Sequence, residues 1–185
     1  MAKTFVILAA VVLSWSVQSA ADELTDINNF RQYSATFASA GQPTLEQLPV
    51  LRAAGFERVI YIAWSDQAKA LPNEDRLVAN LGMDYLHIPV DWDAPKVADF
   101  QMFAAAMQLS PVQKTLLHCQ VNFRASAFSF LYRVIYDGVS VEEAKRDLNS
   151  VWRPNKTWRD WIFDVLATHK VSPHCTDCDW SIPAE

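Results

Sequence analysis

The sequence predicts an α/β domain in three layers, a mostly parallel sheet of four to five strands flanked by helices. Three observations carry this. Short β-branched and aromatic runs alternate with longer stretches of helical apolar spacing. Glycines punctuate the joints at Gly55, Gly82 and Gly138. Strands joined through helices need crossover connections, which favour parallel pairing with both faces covered. The chain has 185 residues, 51% of them apolar, enough for one ordered domain with its own core.

In chain order, residues 1–21 read as a cleaved signal peptide. Lys3 precedes an apolar stretch from Phe5 to Leu13, and Ser19-Ala20-Ala21 offers small residues for cleavage. The apolar run is shorter than the roughly 20 residues of a spanning helix, which disfavours the alternative of a membrane anchor. Residues 22–170 form the α/β domain and 171–185 a tail. "QYSATFASAG" (32–41) can add an edge strand. "TLEQLPVLRAAG" opens on Thr44 and Gln47 at capping-box spacing, carries Pro49 one turn in, and closes on Gly55. "RVIYIAW" (58–64) is a buried strand, "NEDRLVANLG" a short helix and "DYLHIPV" (84–90) a second strand. "PKVADFQMFAAAMQL" is helical, and "KTLLHC" (114–119) is a third strand. Three helices follow: "ASAFSFLYRVIYDG", "SVEEAKRDLNSVW" with Ser140 and Glu143 as a second capping box, and "TWRDWIFDVLATHK".

The net charge of −5 falls to −6 once Lys3 is removed. A mildly acidic chain without a basic stripe is a poor nucleic-acid binder, and no segment after the leader is long and apolar enough to span a membrane. Any anion site must therefore be local. Two strand ends carry the polar candidates, "HCQVNFR" after residue 117 and "DWDAP" after residue 90. Carboxyl ends of parallel strands are where ligands collect in such sheets.

Cys119 stands where a strand feeds a helix, so the positive end of the helix dipole favours its thiolate. Arg124 on the first turn adds a fixed charge and a fork of donors suited to an oxyanion. The backbone N–H groups of residues 120–124 can curl into an anion-binding nest.

His118-Cys119…Arg124 ahead of a helix resembles the signature loop of the cysteine-dependent tyrosine and dual-specificity phosphatases. "SAGQPTLEQLPVLRAAGFERVIYI" and "HIPVDWDAP" resemble a bacterial branch, the phosphatase-like domain of beta-lactamase-hydrolase-like proteins, some of them labelled sulfur transferases. The likeness spans residues 34–150. It implies that Cys119 is the nucleophile, and that Arg124 with the loop Gln120, Val121, Asn122, Phe123 and the nearby Ser126 binds the phosphoryl group. His118 would support the loop. Asp93, or Asp91, would protonate the leaving oxygen, or else both aspartates merely cap the helix near Pro95. No cofactor or metal is expected, and the implied partner is a small-molecule or protein phosphate ester. The oligomeric state stays open.

Three departures stand out. Only four residues separate Cys119 from Arg124 where the phosphatase loop has five, a length that resembles rhodanese-type sulfurtransferases. Asn122 stands where glycine is common; asparagine tolerates a left-handed backbone next best. Ala125 follows the arginine in place of a hydroxyl residue, with Ser126 one position later. A persulfide-carrying sulfurtransferase and a non-catalytic anion- or protein-binding domain therefore remain alternatives. An exported protein, periplasmic in a Gram-negative cell, meets oxidising conditions. Cys175 and Cys178 can then pair, leaving Cys119 as a free thiol. The alternatives for "THKVSPHCTDCDW" are a zinc set with His169 and His174, or a pair that resolves oxidised Cys119. Trp152, Trp158 and Trp161 are expected to pack the last helices, and His87 to be a hydrogen-bonded core residue.

Overall fold

A computed structural model describes residues 23–182. The leader expected over residues 1–21 lies outside them. The elements are β1 (Arg31–Gln32), β2 (Phe37–Ala40), α1 (Gln47–Ala53), β3 (Arg58–Tyr61), α2 (Glu74–Asn80) and β4 (Asp84–His87). They continue with α3 (Val97–Leu109), β5 (Thr115–His118), α4 (Phe123–Ile135), α5 (Val141–Asn149) and α6 (Lys156–Thr168). The sheet runs β1-β2-β5-β3-β4, with β1 antiparallel and the other neighbours parallel. This is the three-layer α/β arrangement expected.

Adjacent residues of one strand feed the two layers, because side chains alternate across a sheet. Leu116 packs with Leu48 and Leu51 of α1, Val78 of α2 and Val59. Leu117 packs with Phe100 and Phe103 of α3, Phe128 of α4, Leu148 of α5 and Ile162 of α6. The second layer is the larger and holds most of the aromatic rings.

Two local readings change. The stretch 32–41 is not an edge strand: "FASA" is buried throughout and pairs on both sides, with β1 and β5. The edge is β1, whose Arg31 donates to the Ser150 carbonyl at 2.9 Å and hydroxyl at 3.0 Å beyond α5. Strands β3 and β4 stop at Tyr61 and His87, short of Trp64 and Val90; Ile62 N–H still donates to His118 O at 3.0 Å and Ile88 N–H to Tyr61 O at 2.9 Å, and the pairing ends beyond them. The helix after Cys119 begins earlier than the apolar pattern suggested, at Phe123. Each expected capping box forms only in part: the Ser140 hydroxyl accepts from Glu143 N–H at 3.1 Å, whereas at α1 the N-cap is Glu46 without a side-chain cap bond, and Thr44 contributes its backbone N–H, donated to the Gln47 side chain at 2.9 Å.

The tail is docked on the domain. Cys175 and Cys178 are disulfide-bonded, which removes both thiols from the zinc set considered above. Trp180 meets Phe130 and Phe163 edge-on at 5.7 and 5.1 Å, and the Lys145 ammonium lies 4.3 Å from its ring centroid. Trp158 and Trp161 are buried core residues, and His87 Nε2 bonds the Ala63 carbonyl at 2.7 Å. Among the described residues no helix is long and apolar enough to cross a membrane.

Candidate active site

Strand β5 is buried along its whole length and lies between β2 and β3, so it delivers Cys119 to the centre of the sheet's carboxyl edge. Cys119 is fully buried and unpaired, and its N–H donates to Ala40 O at 3.3 Å. The chain then turns through Gln120, Val121 and Asn122 into α4.

That turn is tied down from the side. Asn122 has φ 70°, the left-handed conformation its residue type tolerates. Its Nδ2 donates to Asn29 O at 2.6 Å, and Asn29 Nδ2 donates to Val121 O at 3.0 Å. Gln42 N–H donates to Gln120 O at 3.2 Å. A Cβ on Gly41 would stand 3.0 Å from both Asn28 O and Gln120 O, so only glycine lets the β2 end approach the loop this closely. The N–H groups of the first turn of α4 have no acceptor within their own helix, which leaves them to a ligand.

Arg124 is 5% exposed and its Nε has no hydrogen-bond partner. Its guanidinium carbon lies 5.2 Å from the Trp92 ring centroid, an attractive cation–π contact that orients the fork. Trp92 is wedged among Trp152 at 5.5 Å, Trp158 at 5.3 Å and Phe123 at 6.3 Å. Trp158 Nε1 also bonds the Trp92 carbonyl at 3.0 Å, and Phe123 stacks on Trp152 at 4.8 Å with planes 5° apart. The Ser126 hydroxyl turns back to donate to Phe123 O at 3.0 Å.

Asp91 and Asp93 flank Trp92 and are exposed, with Asp93 N–H donating to the Asp91 carboxylate at 2.9 Å. Neither caps α3. That helix is closed by Asp99, whose carboxylate accepts from Lys96 N–H at 3.0 Å. Both aspartates are thus free of the capping duty that was their alternative reading.

Behind the loop lies a polar cluster that the sequence did not reveal. His118 is fully buried, and burial pushes its imidazole down to about 3, so it is neutral. Its ring stacks on Tyr61 at 4.8 Å, and Tyr61 stacks on His87 at 5.2 Å. Glu74 Oε1 stands 3.4 Å from His118 Nε2, a contact with an uncharged ring and not an ion pair. Glu74 is 4% exposed, and burial lifts its carboxyl to about 7 against the lowering effect of bonds from Gln42 (2.7 Å) and Tyr85 (3.3 Å). Burial, with the Glu74 charge second, lifts Tyr61 to about 12. The nearby Arg124 charge acts on Tyr61 in the opposite, lowering sense. An acid in the first turn of a helix reads as a dipole partner, so no sequence signal marks Glu74. Two cavities flank this cluster, one of about 410 Å³ lined by Tyr61, Glu74, Tyr85 and His87. The other, of about 390 Å³, is lined by Gln42, Lys69 and Gln120. Among the described residues no group of His, Cys, Asp and Glu is arranged to hold a metal.

The family model described as "DSP-PTPase phosphatase fused to NAD+ Kinase" matches residues 8–160. The chain belongs to this DSP-PTPase family. The match begins within the stretch read as a leader and ends within α6. A DUF442 phosphatase candidate from Shewanella putrefaciens CN-32 is 32% identical over 80% of this chain and 97% of its own, with a TM-score of 0.74. The DSP-PTPase fold recurs at lower identity. The active form of Tk-PTP is 20% identical over 77% of this chain and 96% of its own, with a TM-score of 0.61. PTPMT1, in complex with PI(5)P, is 14% identical over 76% and 96%, with a TM-score of 0.65. Among curated proteins nothing matches.

Proposed function

We propose that this DSP-PTPase member hydrolyses a phosphate ester through a phosphocysteine on Cys119. The observation that supports this best is the buried, hydrogen-bond-free Nε of Arg124, held over Trp92 on the first turn of the helix that follows Cys119. A buried guanidinium N–H without a hydrogen-bond acceptor is costly, and an oxyanion supplies that acceptor. Cys119 sulfur attacks phosphorus as the bond to the leaving oxygen breaks. Arg124 and the amides of residues 120–124 hold the equatorial oxygens, where charge grows in the transition state. Asp93, with Asp91 as the alternative, gives its proton to the leaving oxygen and then takes one from the water that cleaves phosphocysteine. Asn122 shapes the turn, and Gln120, Val121, Phe123 and Ser126 complete the loop. A folded-over Ser126 hydroxyl still has lone pairs, but its proton is committed to Phe123 O.

The four-residue spacing from Cys119 to Arg124 favours one second reading, a sulfurtransferase carrying a persulfide on Cys119. An aryl phosphate assay and a thiosulfate-to-cyanide assay on wild type and Cys119→Ser separate the two. Phosphate release that disappears in Cys119→Ser supports hydrolysis. Thiocyanate formation without phosphate release replaces it with sulfur transfer. Loss of neither leaves an anion-binding domain. The leader-like residues 1–21 and the Cys175–Cys178 disulfide support an exported, oxidising location.

A further inference from the structure

We infer that Glu74 is the positioning residue of the Cys119 loop, and that its protonation selects which nitrogen of His118 carries the imidazole proton. Glu74 lies at the start of α2, yet it is 4% exposed and faces inward. Its Oε1 meets two groups that lead to the loop from opposite sides. One is His118 Nε2 at 3.4 Å, and His118 immediately precedes Cys119. The other is Gln42 Nε2 at 2.7 Å, and the Gln42 backbone N–H holds Gln120 O at 3.2 Å. Oε2 accepts from the Tyr85 hydroxyl at 3.3 Å. One carboxyl thus joins the residue before the cysteine to the residue after it.

The groups facing Glu74 are Gln42 ahead of α1, Tyr61 on β3, Tyr85 on β4 and His118 on β5, with Asp75 beside it on α2. His87 on β4 acts on His118. Among the described residues no lysine or arginine bonds the carboxyl, so burial governs it and it changes charge near neutrality, at about 7. His118 stays neutral throughout that range, and its ring plane is fixed by stacking on Tyr61. A neutral imidazole has one proton and two nitrogens. Ionised Glu74 accepts from Nε2–H, leaving Nδ1 bare. Protonated Glu74 donates its O–H to Nε2, and the imidazole proton then resides on Nδ1. Solvent supplies the one proton gained, and a small swing of either side chain closes the 3.4 Å gap.

Glu74→Gln fixes the second arrangement. The new amide donates to Nε2, and Gln42 flips to present its Oε1, which has no partner in wild type. The test is long-range 15N–1H NMR of the His118 ring from pH 5.5 to 8.5, with kcat and KM for an aryl phosphate over the same range. In wild type the ring passes from the Nδ1–H to the Nε2–H form with a midpoint near neutrality. Over that change kcat falls several-fold while KM holds. In Glu74→Gln the Nδ1–H form persists at every pH and this fall in kcat is absent. A wild-type ring that keeps one tautomer across the range overturns the inference, as does a Glu74→Gln ring that still switches. If Glu74→Gln does not fold, the wild-type titration alone decides. The link to kcat rests on the phosphatase reading, and the tautomer does not. A protein that switches tautomer without cleaving phosphate esters supports Glu74's role and removes only that reading.

Discussion

The Arg124 guanidinium carbon stands over Trp92, 5.2 Å from its ring centroid, so an indole forms a wall of the candidate anion site. Trp92 occupies the position between Asp91 and Asp93, so the loop that carries the candidate acid also holds the candidate anion clamp. Trp92→Leu therefore loosens both. We expect KM for an aryl phosphate to rise about tenfold, and stability to fall by roughly 2 kcal/mol through lost ring contacts. Steady-state kinetics and thermal melts measure the two separately. An unchanged KM would mean that Arg124 is held by other means.

Arg124→Lys keeps the charge and removes the fork. A lysine cannot bond two oxygens in parallel, so kcat/KM is expected to drop about 100-fold or more. Phosphate or vanadate protection of Cys119 from alkylation should weaken in the same variant. Protection equal to wild type would show that the loop amides suffice.

The two aspartates are separable. Asp93→Asn is expected to lower kcat by about 100-fold or more for an ester with a poor leaving group, and far less for nitrophenol, which leaves without a proton. Asp91→Asn retains an oxygen to accept from residue 93 N–H, and should leave kcat within a few-fold of wild type. The reverse ranking assigns the acid to Asp91.

Stability should follow pH through the buried cluster. Glu74, lifted from its ordinary 4.5 to about 7, gives the fold an advantage that is complete below about 4.5 and is lost as pH rises through 7. His118, pushed from 6.5 to about 3, acts in the opposite sense: its contribution is complete above 6.5 and is lost as pH falls towards 3. The slopes oppose between about 4.5 and 6.5, giving a plateau there. Glu74→Gln removes only the alkaline loss. Its melting temperature should match wild type near pH 5 and exceed it at pH 8, by an amount reflecting about 3 kcal/mol at most. Equal melting temperatures at both pH values would contradict a buried ionisable carboxyl.

Reducing the Cys175–Cys178 bond, or replacing Cys178 with serine, opens only a small loop, since the two are three positions apart. The expected loss is about 2 kcal/mol or less. It should show as weaker docking of Trp180, read as a red shift and faster quenching of its fluorescence in a single-tryptophan background. Activity should stay at the wild-type level.

The sequence announced what is local. Cys119, Arg124 and the left-handed Asn122 lie within six residues, so one strand end and one helix start reveal them. Alternation of apolar runs likewise conveyed the layers and the parallel sheet. What was hidden depends on distant partners. Trp92 gains its role from Phe123, Trp152 and Trp158, none of them near it in sequence. Glu74 looks like any first-turn acid until β4 and β5 bring Tyr85 and His118 to it. Residues 32–41 read as an edge, yet residues 37–40 pair on both sides, because the pattern of one strand does not say how many neighbours it has. The strand ends at 62–64 and 88–90 read as strand because Ile62, Ala63, Ile88 and Val90 are buried in the core, and apolar residues that only pack read the same as apolar residues that pair.

Strand β1 is two residues long, and Arg31 is clamped to Ser150. That border of the sheet thus presents almost no run of idle backbone donors and acceptors, and a charged side chain lies across it. Templated strand addition between molecules, the usual first step to fibrils, is blunted there, and any such growth must start from the opposite margin at β4.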